Sequence, residues 1–114
     1  MEQIVDLQND SEFQALGVDV VSIAFDSQQE LSQGADEYGI FGVPLLTDST
    51  QEVSESYDVL QWAVGTGEPG HTFVLVDSTG HIAWIRDYGA PENGGVMYVP
   101  ILDLASQVSA ALDR

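Results

Sequence analysis

Residues 72–86 read TFVLVDSTGHIAWIR, and this stretch decides the fold. Residues 72–77 and 81–86 are apolar and rich in β-branched and aromatic side chains, the composition that fits a pleated surface. Between them, Asp77-Ser78-Thr79-Gly80 supplies turn chemistry. An Asp side chain can bond the backbone two residues on, and a glycine can take positive φ. The stretch predicts an antiparallel hairpin. Its register sets His71 across from Arg86, and alternation puts Ile82 and Trp84 together on the core face.

Working outward, residues 18–25 (VDVVSIAF) read as a strand buried on both faces, of the kind found in parallel sheets. Residues 2–16 hold no Gly or Pro and predict a helix stopped by Gly17, loosened at Asn9-Asp10-Ser11. Ser27 and Glu30 form a capping box for a second helix, with Leu31, Ala35 and Tyr38 on one face and Gly39 as its stop. Residues 43–47 (VPLLT) are extended, and Ser49 with Glu52 predicts another capping box leading to Val53, Tyr57 and Leu60. Residues 60–70 form a loop with Gly65, Gly67, Pro69 and Gly70. After the hairpin, residues 87–100 form a second loop. Pro100 then starts a helix with Ile101, Leu104, Ala105, Val108 and Leu112 on one stripe.

The chain has 114 residues, two basic and nineteen acidic, for a net charge of −17, and it contains no lysine and no cysteine. Nucleic-acid binding needs clustered Lys and Arg, and anionic membrane surfaces repel such a chain, so neither partner is expected. The absence of cysteine excludes a disulfide scaffold, a zinc finger and a thiol nucleophile within these residues. A composition 44% hydrophobic and 9% aromatic supports a packed core despite the charge. No apolar run approaches the roughly 18 residues of a membrane span, and no signal-peptide pattern is visible, so a cytoplasmic location is expected.

The order helix, strand, helix, extended segment, helix, hairpin, helix resembles the latter two-thirds of a peroxiredoxin. More broadly it resembles the redoxins of the alkyl hydroperoxide reductase / thiol-specific antioxidant family. Residues 13–27 (FQALGVDVVSIAFDS), Tyr38-Gly39-Ile40 through residues 43–48 to Val53 and residues 57–59, and residues 72–82 carry the resemblance. It implies an α/β, thioredoxin-like fold: a mixed sheet with a C-terminal hairpin, flanked by helices, in a single domain over residues 1–114. It also implies that the helix at 2–16 follows a central strand whose end bears the reactive cysteine. The helix N-terminus there favours the thiolate that attacks peroxide or disulfide. Against the family pattern the domain is N-terminally incomplete, lacking that strand and that cysteine. The activity implied is antioxidant thiol-dependent peroxide or disulfide reduction, with the chain inactive alone. A non-catalytic thioredoxin-like interaction or regulatory module is the alternative. No cofactor is implied.

The family resemblance also places a remnant active-site face at Pro69, Gly70, His71 and Thr72. Peroxidases often carry an Arg there and disulfide reductases a cis-proline, for which Pro69 stands one residue early. Among side chains read on their own, His71 and His81 titrate near neutrality but lie too far apart along the hairpin to share a metal. Asp36-Glu37 and Glu52 with Glu55 read as solvated acids, and no calcium-loop or phosphate-loop pattern is present. Residues 87–100 hold Tyr88, Met97 and Tyr98, more apolar surface than a solvated loop requires, and predict an interaction loop.

A missing central strand would leave two rows of unpaired backbone groups, each costing about 1–3 kcal/mol if buried. Three outcomes are open: direct pairing of the flanking strands, a homo-oligomer or partner covering the exposed sheet edges, or a longer natural chain, which is the favoured expectation. The acids, falling on helix exteriors and turns without lysine, point to adaptation to a halophilic cytoplasm.

Overall fold

The computed structural model describes residues 1–63, 67 and 71–112. The helical elements form where the capping chemistry placed them, with two shifts. The first helix divides at Asp10, whose backbone is extended at φ −83° and ψ 116°, into α1 (Glu2–Asn9) and α2 (Ser11–Gln14). The Asp10 carboxylate accepts from the Phe13 N–H at 2.8 Å, which restarts the helix after the break. Helix α3 (Gln28–Tyr38) has both bonds of its capping box. Glu30 N–H donates to Ser27 Oγ at 3.2 Å, and Ser27 N–H donates to Glu30 Oε1 at 3.1 Å. Gly39 closes it at φ +69°, a left-handed position that favours glycine.

The expected capping box of Ser49 and Glu52 does not form. Gln51 enters α4 (Glu52–Ser56) in the left-handed region and offers no side-chain cap. Asp48 takes the role instead, accepting from Ser54 N–H and Oγ, both at 2.8 Å, and from Val53 N–H at 3.2 Å. A turn of 3-10 helix follows at Val59–Trp62, so Trp62 lies in this turn and not in an open loop. The last helix, α5 (Ile101–Leu112), buries Leu104 and Val108 on the predicted stripe.

In place of the expected single mixed sheet, the described residues form two separate two-stranded sheets, one parallel and one antiparallel. Strands β1 (Ser22–Ala24) and β2 (Leu45–Thr47) are parallel, with Ser22 opposite Leu45. Strands β3 (Thr72–Val76) and β4 (Ile82–Asp87) form the antiparallel hairpin. Its turn is held by Asp77, which accepts from Thr79 N–H and Oγ1 and from His81 N–H, with Gly80 at φ +85°. Among the described residues, no backbone hydrogen bond joins residues 18–24 to residues 71–76, so the flanking strands do not pair directly.

Two further details correct the sequence reading. A bulge shifts the register between Leu75 and Val76, so that Leu75 faces Trp84 while Val76 faces Ile82. The extra residue turns Ile82 to the face opposite Trp84. Trp84 accordingly packs against the core, whereas Ile82 is 50% exposed. His71 does not face Arg86, because the ladder at the turn is offset by one residue from the expected register and the bulge adds one residue more. Phe73 now faces Arg86, and the His71 carbonyl accepts from Tyr88 N–H at 2.8 Å.

The core lies where α1, α2 and α5 cover one face of the hairpin. Leu7, Phe13, Leu75, Tyr88, Val99, Leu104 and Val108 form it, with Val18 and Val20 packed against its margin. Helix α3 packs against β2 on the other half. The segment at 18–25 is not buried on both faces. Val21 is 49% and Ile23 43% exposed, and only Ser22–Ala24 is laddered, because β1 has a neighbour on one side only.

Candidate functional site

Pro69 and Gly70 lie outside the described residues. The other two members of the expected active-site face, His71 and Thr72, stand at the start of β3, and each is engaged by a different network. His71 is half-buried, and its Nε2 lies 2.9 Å from Gln3 Oε1. Gln3 Oε1 also accepts from Val99 N–H at 2.7 Å, and Gln3 Nε2 donates to the Val99 carbonyl at 3.0 Å. Because the amide oxygen can only accept, His71 must donate from Nε2, which fixes its neutral tautomer and leaves Nδ1 as the acceptor. One buried glutamine thus ties the first turn of α1, the start of β3 and the segment before α5 together.

Burial holds the His71 imidazole below its ordinary pKa of 6.5. The positive amino group at residue 1 adds to this, while Asp87 pulls in the opposite direction. The ring meets Phe73 edge-on at 5.0 Å between centroids, Phe73 meets Tyr88 in the same manner at 5.8 Å, and the Arg86 guanidinium sits 4.6 Å from the Tyr88 centroid. Gly89 passes so close that a Cβ there would lie 2.6 Å from the His71 backbone nitrogen. Backbone approach therefore requires glycine at this position.

Thr72 donates from Oγ1 to Asp87 Oδ1 at 2.6 Å, across the ladder. Asp87 is buried, and its Oδ2 accepts from Ala90 N–H at 2.9 Å and Asn93 Nδ2 at 3.0 Å. Burial, the largest single influence, would raise this carboxyl. The donors from Thr72, Asn93, Ala90 and Gly89 together outweigh it and hold the pKa below the ordinary 3.8. Sequence reading does not single out Asp87, which stands there as the first residue of the loop at 87–100. The signal was its place opposite Thr72 and ahead of the Gly89-Ala90-Pro91 turn.

Of the expected interaction loop, Tyr88 is buried in the core and Met97 is 61% exposed. Tyr98 donates its hydroxyl to Asp6, whose carboxylate pushes the phenol up to about 12. His81 is exposed in the hairpin turn beside Thr79, at the far end of the ladder from His71. Asp36, Glu37, Glu52 and Glu55 are exposed. Among the described residues, no group of three or more His, Cys, Asp or Glu side chains could hold a metal ion, and no helix is long and apolar enough to cross a membrane.

Chemically, the described part of the face offers one oriented imidazole with Nδ1 as its acceptor nitrogen and one fixed, ionised carboxylate. Neither is a nucleophile for peroxide or disulfide, and the sequence contains no thiol.

A hairpin covered by a C-terminal helix, joined to a parallel pair that follows the first helices, defines a thioredoxin-like α/β protein. The sequence model of the AhpC/TSA family matches residues 2–85, most of the chain, and the chain belongs to that family. No curated protein and no solved structure matches it.

Proposed function

We propose that residues 1–114 form a single redoxin domain that lacks the central strand and reactive thiol of its family, and that is inactive alone in peroxide or disulfide reduction. One observation carries this reading: a chain matching the AhpC/TSA family over residues 2–85 contains no cysteine. The family's antioxidant chemistry needs a thiolate, and neither His71 nor Asp87 can replace one. The test is consumption of hydrogen peroxide and reduction of insulin disulfides by the purified chain with dithiothreitol as reductant. Rates at the protein-free background are expected. Turnover above background would overturn the reading.

A second reading, a non-catalytic thioredoxin-like interaction or regulatory module, is favoured by the open division between β1 and β3. The exposed Met97 in the loop ahead of α5 adds apolar surface to it. A folded, monodisperse chain supports the module, and an aggregating one supports the incomplete domain. The acid-rich, lysine-free composition further supports a protein of a salt-rich cytoplasm, in which counterions screen its self-repulsion.

A further inference from the structure

Arg86 is the one Lys or Arg side chain among the described residues of a chain with nineteen acids, and it is paired with none of them. Among the described residues its guanidinium has no hydrogen-bond or ion-pair partner, and only the Tyr88 ring holds it, 4.6 Å away at the centroid. That contact restrains the side chain and uses none of its N–H donors.

Two hollows flank the guanidinium. One, of about 400 Å³, runs from Arg86 to α5 and has apolar walls at Tyr88, Val96, Val99 and Pro100. Asp103 and Asn93 also line it. Asn93 Nδ2 is spent on Asp87 Oδ2 at 3.0 Å, which leaves its Oδ1 as an acceptor. The other hollow, of about 360 Å³, lies against Trp62, Ile85 and Glu92 and has fewer apolar walls. The first falls in the size range of small-molecule sites, about 300–1,000 Å³.

Charge narrows the choice of ligand. A simple anion is a poor match, because Asp87, Glu92 and Asp103 surround the guanidinium and the whole chain carries −17. A simple cation meets Arg86 itself. A molecule with a carboxylate and an ammonium on adjacent atoms, neutral overall, satisfies both signs at once. We infer that the hollow between Arg86 and α5 binds a free α-amino acid with an apolar side chain. Its carboxylate takes the Arg86 fork, its ammonium takes Asp103 and Asn93 Oδ1, and its side chain lies against Val96, Val99 and Pro100. A peptide terminus carries one of the two charges without the other and fits poorly. The site uses no thiol chemistry and stands apart from the reading of an inactive redoxin domain.

The test follows the Arg86 Nε–H and the backbone amides of Val96, Val99 and Asp103 by NMR as leucine is added to the full chain. Saturable shifts are expected. N-acetyl-leucine, which lacks the ammonium, and leucinamide, which lacks the carboxylate, are expected to bind at least about tenfold more weakly. Arg86→Gln and Asp103→Asn change exposed side chains, so the free chain keeps its melting temperature. Arg86→Gln should lower leucine affinity by at least about tenfold. Asp103→Asn should lower it and erase the preference for leucine over N-acetyl-leucine, a signature that loss of fold does not give. Glu92→Gln, on the other flank, should leave binding unchanged. Absence of saturable shifts overturns the inference, as does equal binding of either analogue by the unaltered chain or full leucine binding by Arg86→Gln. Loss of binding in Glu92→Gln places the ligand in the other hollow and overturns it too. Should Arg86→Gln fail to fold, the comparison of leucine with N-acetyl-leucine on Asp103→Asn decides.

Discussion

Strands β3 and β4 pair across a short turn and run five and six residues, whereas β1 and β2 pair across a crossover that contains all of α3 and run three residues each. The hairpin brings its own partner with it, and the Asp77 side chain fixes the turn locally. A parallel pair has no such closure and draws its order from neighbours on both sides. Here β1 has only β2, so its apolar side chains remain half outside while those of β3 reach the core. Strand length in this molecule follows the supply of partners more closely than it follows hydrophobicity.

The largest expected effect tests that contrast directly. Leu104 is 1% exposed under the hairpin, and Leu104→Ala should cost about 2–5 kcal/mol in urea unfolding. Ile23→Ala, in the open half, should cost less than about 1 kcal/mol. Equal losses would show that the two halves form one core and would break the comparison.

A middle-sized effect sharpens it on the hairpin side. Asp87→Asn keeps the shape but weakens the bonds from Thr72, Ala90 and Asn93, and should cost about 1–3 kcal/mol near neutrality. The folded pKa of Asp87 lies below its ordinary 3.8. Its contribution is therefore fully present above that value and is lost as pH falls through the folded pKa. The difference between wild type and variant should shrink over that acid range, as read by urea midpoints at stepped pH. A difference constant with pH would mean that the Asp87 charge is not what the donors hold.

Salt gives the smallest effect. The acidic exterior should raise the melting temperature by a few degrees between dilute buffer and molar sodium chloride, as screening relieves repulsion. Amides of α3, which carries Glu30, Asp36 and Glu37, should gain more exchange protection than those of the hairpin. A melting temperature independent of salt would count against the salt-adapted reading.

Features written in contiguous residues were legible from sequence. The capping box of α3, its Gly39 stop, the Asp77–Gly80 turn and the stripe of α5 each depend on residues a few positions apart. What failed depends on distant partners or on small backbone choices. The length of β1 follows its pairing on one side only among the described residues, and the facing of Ile82 follows one extra residue in β4. The cap of α4 went to Asp48 instead of Ser49 because Gln51 adopts positive φ, which no local composition announces. At the candidate site, His71 was visible as a titratable group beside the hairpin. Its partner Gln3 stands 68 residues away and looked like an ordinary helix residue.

That glutamine also bears on the order of folding. Its bonds to Val99 span 96 residues, nearly the whole chain, whereas the hairpin closes over a few. Loop-closure entropy rises with the length enclosed, so contacts of this separation contribute little to a folding nucleus. The Gln3 clasp is expected to close after the hairpin and α5 have met. It then acts as a latch that slows unfolding more than it speeds folding.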